Sequence, residues 1–196
     1  MQVDPSVQKI IDELTGAGER HDATQPDRLR RWRVLEPDAG RFLRLMAHTT
    51  GARRIVEIGT SRGVSTLWLA EAARTLGATV LSLDTDPAAQ ADARRSTAEA
   101  GLGDRVEFRV QDGGEALSAM ADGEVDLLFL DAERTEYPSW WPHPVRVLRP
   151  GGLLVADNAL SHPGEIAPFH DLLVQDPALL VTTIAVGKGE LVALRR

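Results

Sequence analysis

The stretch RIVEIGTSRGVSTLWLAEAARTLGATVLSLDTDP, residues 54–87, decides the fold of this chain. It starts with a short apolar run, passes through a turn with two glycines into an apolar helical pattern, and ends in a second apolar run. Two parallel strands need a long crossover between them, and a helix of this length provides one. We therefore interpret the stretch as a parallel strand–helix–strand unit.

The same alternation continues toward the C-terminus. Further apolar runs occur at VEFRVQD, VDLLFLDA and GLLVADN, and helical patterns separate them. Runs that are apolar on both faces are typical of parallel strands covered by helices on each side. Only the turn at residues 187–189 separates the last two runs, LLVTTIAVG and ELVALRR, so they must form an antiparallel hairpin. The sequence predicts a doubly wound α/β sheet, mostly parallel, with a C-terminal antiparallel hairpin and helices on both faces.

Residues 1–50 carry helical patterns and no strand patterns, so we expect a helical N-terminal extension ahead of a core at 51–196. The segment PSVQKIIDELTGAG has a single apolar face, and we expect its glycines to end that helix. A length of 196 residues suits a single domain that spans residues 1–196.

Composition excludes several classes of protein. The chain has no cysteine, which excludes disulfides, thiolate zinc sites and a cysteine nucleophile. A net charge of -7 argues against a nucleic-acid partner, and no apolar run reaches the roughly 20 residues of a membrane span. Without a signal peptide pattern, we expect a cytoplasmic protein that acts on a small molecule. We interpret the basic run RLRRWR, residues 28–33, as a solvated helix face or a subunit contact.

The first three predicted strands end in polar residues. In EIGTSRG the glycines allow close approach of a ligand, and the following helix N-terminus offers N–H groups; the alternative is a plain turn. Asp84 lies 21 residues after Gly63, where a carboxylate can accept ribose hydroxyls, whereas Asp86 is placed to cap the next helix. The third strand ends in Gln111, Asp112 and Gly113, which suit an adenine edge. The glycine spacing differs from the dinucleotide fingerprint and favours S-adenosylmethionine over a pyrophosphate ligand.

The fourth and fifth predicted strands end in Asp131 and in Asp157–Asn158. Carboxyl ends of neighbouring parallel strands share one edge of the sheet, so these side chains should lie together. Two carboxylates and an amide oxygen suit a hard cation such as Mg²⁺. The alternative is that Asp157 and Asn158 cap a loop while Asp131 only hydrogen-bonds the cofactor.

The motifs EIGTSRG, LDTDP, LDAERTEY and LRPGGLLVADN together resemble the class I S-adenosylmethionine-dependent O-methyltransferases of the catechol and caffeoyl-coenzyme A type. The resemblance runs from EPDAGRFL to the C-terminus and implies a Rossmann-like methyltransferase sheet. It implies a donor site made of Glu57, Gly59, Ser61, Ser65, Asp84, Gln111, Asp112, Gly113 and Asp131. The first four would hold the methionine end, Asp84 the ribose, and residues 111–113 would border the adenine. Asp131, Asp157 and Asn158 would hold Mg²⁺ or another divalent cation.

The implied reaction is metal-assisted methylation of a phenolic small molecule with vicinal hydroxyls. Where family members have a lysine base, this chain has Arg134, which cannot deprotonate. Arg134 would steady the ionised acceptor, or only pair with Glu133 or Glu136, and His162 or His143 would serve as the base. The short N-terminal region leaves the acceptor pocket and a homodimer open. The alternatives are a metal-independent methyltransferase, an NAD-type oxidoreductase or a non-catalytic donor-binding protein.

Overall fold

A seven-stranded sheet in the order β3-β2-β1-β4-β5-β7-β6 forms the centre of the computed structural model, which describes residues 3–27 and 30–196. The strands are β1 (Arg54–Ile58), β2 (Thr79–Asp84), β3 (Val106–Val110), β4 (Val125–Leu130), β5 (Leu148–Ala156), β6 (Leu179–Ile184) and β7 (Glu190–Arg195). The first five strands pair in parallel, and β7 runs antiparallel to both β5 and β6. The predicted mostly parallel sheet with a C-terminal antiparallel hairpin is therefore confirmed.

Helices cover both faces of the sheet and bury one apolar cluster on each. They are α1 (Pro5–Thr24), α2 (Pro37–Thr50), α3 (Val64–Leu76), α4 (Pro87–Glu99), α5 (Gly113–Ala119), α6 (His143–Arg146) and α7 (Pro163–Gln175). Asp86 caps α4 as predicted, since its carboxylate accepts from the Ala88 backbone N–H at 2.8 Å. Among residues 3–27 and 30–196, no helix combines the length and apolar character needed to cross a membrane.

The first helix corrects one prediction from the sequence. Helix α1 continues through Gly16 and Gly18 to Thr24, so the expectation that the glycines end it was wrong. A Cβ at Gly18 would lie 2.7 Å from a methyl carbon of Val34. Glycine at this position lets the segment after α1 pack closely against the helix. It serves packing, not termination.

The strand order places a ligand site at one edge of the sheet. The chain reverses its direction of strand addition between β1 and β4, and ligands of open α/β sheets bind beyond the carboxyl ends at such a point. Because β7 is antiparallel to β5, with Leu191 opposite Ala156, the turn that precedes β7 reaches the same edge. Side chains from the hairpin therefore join those at the ends of the parallel strands.

Candidate functional site

A cavity of about 760 Å³ lies beyond the carboxyl ends of the parallel strands. The residues proposed from the sequence that line it are Gly59, Ser61, Asp84, Gln111, Asp112, Asp131, Arg134, Asn158 and His162. Glu57, Ser65, Gly113 and Asp157 do not line it and are buried. The volume is in the range of cavities that enclose small molecules and cofactors.

The loop between β1 and α3 forms one wall of the cavity and is pressed against the end of β4. Gly59 has a φ of 102°, and a Cβ there would lie 2.2 Å from the backbone oxygen of Asp131. Gly63 has a φ of 82° and packs against Ala93, where a Cβ would lie 2.8 Å from the alanine Cβ. Both positions need glycine, for conformation and for space.

Asp84 ties this loop to the end of β2 while it lines the cavity. One carboxylate oxygen accepts the backbone N–H groups of Thr60 at 3.0 Å and Ser61 at 2.9 Å. The other oxygen accepts the N–H of Asp86 at 2.9 Å. A carboxylate with three backbone donors is held in a fixed orientation. Its role toward a ribose stays a prediction.

Glu57 lies beneath the loop in a cluster of hydroxyl groups. Its Oε2 accepts from the hydroxyls of Thr66 at 2.5 Å and Ser82 at 2.6 Å. Burial raises the pKa of Glu57 to about 7, against the lowering effect of hydrogen bonds from Ser65, Ser82 and Thr66. Glu57 and Ser65 thus support the loop from below, and their contact with a methionine moiety stays a prediction.

The segment between α1 and α2 closes the cavity from above. The backbone oxygen of Trp32 accepts the Ser61 hydroxyl at 2.7 Å, and the Arg62 guanidinium lies 4.5 Å from the centre of the Trp32 ring. The Asp22 carboxylate accepts the backbone N–H groups of Trp32 at 2.7 Å and Arg33 at 2.9 Å. These contacts join the N-terminal segment to the loop after β1.

The described part of the basic run lies at the mouth of the cavity and is exposed except at Trp32. Residues 30–33 line the cavity, and Arg33 pairs with Glu133 at 3.0 Å. Residues 31–33 do not form a helix face, because the hydrogen bonds of Trp32 and Arg33 to Asp22 hold them in irregular structure over the site. The alternative, a subunit contact, stays a prediction. Residues 28 and 29 of the run lie outside the described residues.

The end of β3 provides a flat wall. Asp112 caps α5 by accepting the Glu115 N–H at 2.9 Å. Trp140, which lines the cavity, packs on the first residues of α5, since a Cβ at Gly114 would lie 2.5 Å from the indole Cδ1. The glycines at the start of α5 leave space for the indole. Gln111 lines the same cavity as Trp140.

Asp131, Asp157 and Asn158 meet at the ends of β4 and β5, as predicted for neighbouring strands. The Asn158 side-chain amide lies 3.2 Å from Asp131 Oδ1 and 2.9 Å from Asp157 Oδ2. Burial, and then the charge of Asp157, raises the pKa of Asp131 well above its usual range. Burial likewise raises the pKa of Asp157 to about 6. Within the described ranges no three His, Asp and Glu side chains form a metal-binding group, so a metal site here requires the asparagine.

Arg134 and His162 both reach the cavity, but Arg134 pairs differently from expectation. Its Nε and Nη2 donate to Glu165 Oε2 at 3.0 and 2.6 Å, so the alternative role, an ion pair with Glu133 or Glu136, was wrong, and its role toward an acceptor stays a prediction. The start of α7 brings Glu165 beside Arg134, a proximity that local sequence does not reveal. His162 lies at the cavity, whereas His143 does not line it.

Lys188 is a residue of this site that the sequence motifs missed. It occupies the turn between β6 and β7 and lines the cavity, and its Nζ lies 2.5 Å from Glu36 Oε1. Burial alone lowers the pKa of Lys188, but the hydrogen bond to Glu36 and the charges of Asp157 and Asp131 raise it. The predicted hairpin could have indicated this position, since a strand that runs antiparallel to β5 must start at the edge where β5 ends.

Comparison with known proteins agrees with this arrangement. The sequence profile of the O-methyltransferase family matches residues 19–196. The catechol O-methyltransferase of Mycobacterium tuberculosis is 37% identical over 138 residues, which cover 70% of this chain and 62% of that protein. The O-methyltransferase from Bacillus cereus in complex with SAH has a TM-score of 0.78 at 26% identity and covers 96% of this chain and 91% of its own. The O-methyltransferase TomG from Streptomyces achromogenes in complex with SAM has a TM-score of 0.77 at 27% identity, and the match covers 99% of this chain and 91% of that chain. The chain belongs to the O-methyltransferase family, which confirms the S-adenosylmethionine-dependent methyltransferase expected from its motifs.

Proposed function

We propose that this chain transfers the methyl group of S-adenosylmethionine to one of two vicinal hydroxyls of a small phenolic acceptor, assisted by a divalent cation such as Mg²⁺. The observation that carries the proposal is the pair of carboxylates, half-buried Asp131 and buried Asp157, bridged by Asn158 next to the loop after β1. The names of the compared proteins, a catechol O-methyltransferase and two structures with SAH or SAM, support the same reaction.

The cavity fits the methyl donor along the ends of β1, β2 and β3. Asp84 would take the ribose hydroxyls, and Gln111, Asp112 and Gly113 would border the adenine beside Trp140. Residues Glu57, Gly59, Ser61, Ser65 and Asp131 would form the methionine end, by contact or by holding the loop. The absence of a side chain at Gly59 supports this placement, since it brings the loop and β4 together at that end.

The residues at the ends of β4 and β5 also fit a hard cation. The charge of Asp157 raises the pKa of Asp131, so the two carboxylates form a site of concentrated negative charge, which a cation relieves. A half-turn of the Asn158 amide would exchange nitrogen for oxygen and complete a set of three oxygen ligands. Water and the acceptor would complete the coordination of Mg²⁺.

When bound, the donor supplies an electrophilic methyl group and the cation favours an ionised acceptor oxygen. The chain holds donor and acceptor in one cavity and aligns them, and such orientation supplies on the order of 7–11 kcal/mol at best. His162 lies at the cavity, where it can take the proton of the acceptor hydroxyl. Arg134, buried against Glu165, keeps a permanent positive charge nearby and does not act as a base.

Removing one metal ligand tests the proposal. Asp157→Ala should retain donor affinity, because the adenosine contacts lie on other strands, but should lose most methyl transfer to catechol. Asp171→Ala, an exposed acid on α7, is the matched control and should behave as wild type. Calorimetry measures the donor affinity and the Mg²⁺ binding of each protein. Methyl transfer to catechol is measured with and without a chelator. Full turnover of exhaustively chelated wild type would overturn the metal role and leave a metal-independent methyltransferase.

Three finer expectations from the sequence stay predictions. They are the single domain of residues 1–196, the homodimer and the cytoplasmic location. Light scattering on the purified chain would test the homodimer.

A further inference from the structure

The backbone of Lys188 is fixed beside the proposed metal ligands. Its carbonyl oxygen accepts the N–H groups of Leu160 at 3.0 Å and Ser161 at 3.1 Å, and the Gly189 oxygen accepts that of Ala159 at 2.8 Å. These three hydrogen bonds thus join the β6–β7 turn to the segment that directly follows Asn158. The position of Lys188 does not depend on its side chain.

The Lys188 ammonium belongs to the same electrostatic cluster as the two carboxylates. It lines the cavity together with Asp131 and Asn158, and Glu36 at the start of α2 holds its Nζ. Its charge opposes the rise in the pKa values of Asp131 and Asp157 that burial causes.

The other cations near this edge are held by other acids. Arg33 pairs with Glu133, and Arg134 pairs with Glu165. Arg33 also acts on the charge of Asp131, but Lys188 is the cation that acts on both Asp131 and Asp157. The β6–β7 turn therefore places a positive charge at the cavity that Asp131 lines, where it acts on both carboxylates.

We propose that Lys188 is a tethered cation that competes with the divalent metal for the Asp131–Asp157 pair and thereby sets the metal affinity of the site. The inference rests on the proposed metal site. Without metal, the ammonium compensates part of the buried negative charge. A divalent ion that enters must overcome repulsion from this ammonium, so its binding is weakened.

Calorimetric titration of the full chain with Mg²⁺, and separately Mn²⁺, tests the inference. Lys188→Met should bind the metal about tenfold more tightly, an effect of the size that neighbouring residues exert on metal sites. Lys188→Arg keeps the charge and should stay within a few-fold of wild type. The matched control is Lys9→Met, which removes the other lysine of the sequence, an exposed side chain paired with Glu13 on α1.

The outcomes separate this inference from the proposed function. If wild type and Lys188→Met bind metal equally well, the inference is overturned while the metal site stands. If Lys188→Met binds the metal and wild type does not, the result supports the inference and overturns metal assistance in wild type. If neither protein binds the metal, both the inference and the proposed metal site are overturned. If Lys188→Met does not fold, Glu36→Gln replaces it. That variant frees the ammonium for the carboxylates and should weaken metal binding, and an unchanged affinity would overturn the inference.

Discussion

Glu57→Gln should change how the stability of this protein depends on pH. The carboxyl group of Glu57 is completely buried among hydroxyl groups, and burial raises its pKa from 4.5 to about 7. A glutamine keeps one acceptor oxygen for Thr66 and Ser82, but it cannot ionise. The variant therefore removes the titration and leaves the hydrogen bonds in place.

The magnitude follows from the shift in pKa. Below pH 4.5 Glu57 is protonated in both the folded and the unfolded state and adds no pH dependence. Between pH 4.5 and pH 7 the unfolded chain releases this proton first, so the free energy of unfolding falls as the pH rises. A shift from 4.5 to about 7 corresponds to a loss of about 3 kcal/mol, complete above pH 7. Wild type should lose this stability, and Glu57→Gln should not.

Urea unfolding followed by circular dichroism measures the effect. The difference in unfolding free energy between Glu57→Gln and wild type should move by about 3 kcal/mol in favour of the variant from pH 4.5 to pH 8. The titration of Asp157 occurs in both proteins and cancels in this difference, and that of Asp131 changes only by the contribution that the charge of Glu57 makes to its pKa. Glu13→Gln, an exposed change on α1, is the matched control and should show no such movement. A difference between Glu57→Gln and wild type that stays constant across this range would refute the reasoning.

Substitutions at two further residues test the loop between β1 and α3 and the cavity. Asp84→Ala should weaken S-adenosylmethionine binding severely, because it removes the expected ribose acceptor and leaves the backbone N–H groups of Thr60 and Ser61 without their partner; near wild-type affinity by calorimetry would contradict it. Arg134→Lys should fold and retain much of the activity because it preserves the charge beside Glu165, whereas Arg134→Ala should lower the melting temperature. Equal loss of turnover in the Lys and Ala variants, with folding intact, would instead indicate that the geometry of the guanidinium is required.

Local pattern was sufficient for most of the fold and for part of the site. The alternation of apolar runs with helical patterns implied the parallel strands, and the short turn at residues 187–189 required the antiparallel hairpin. The expectation that Asp131, Asp157 and Asn158 meet needed only their positions at the ends of neighbouring strands. Glycine was harder to interpret: at Gly59 it marks a close backbone contact in the cavity, and at Gly18 it marks close packing inside a helix.

The sequence by itself determined which strands and helices form and which polar residues stand at the strand ends, because periodicity and turn chemistry act over a few residues. Only the tertiary structure decided contacts between distant segments. The insertion of β7 between β5 and β6 brings Lys188 to the cavity that Asp131 lines, and the segment before α2 places Trp32 over Ser61. The pairing of Arg134 with Glu165 likewise joins residues 31 positions apart. Such contacts depend on how whole elements pack, and no periodic pattern records them.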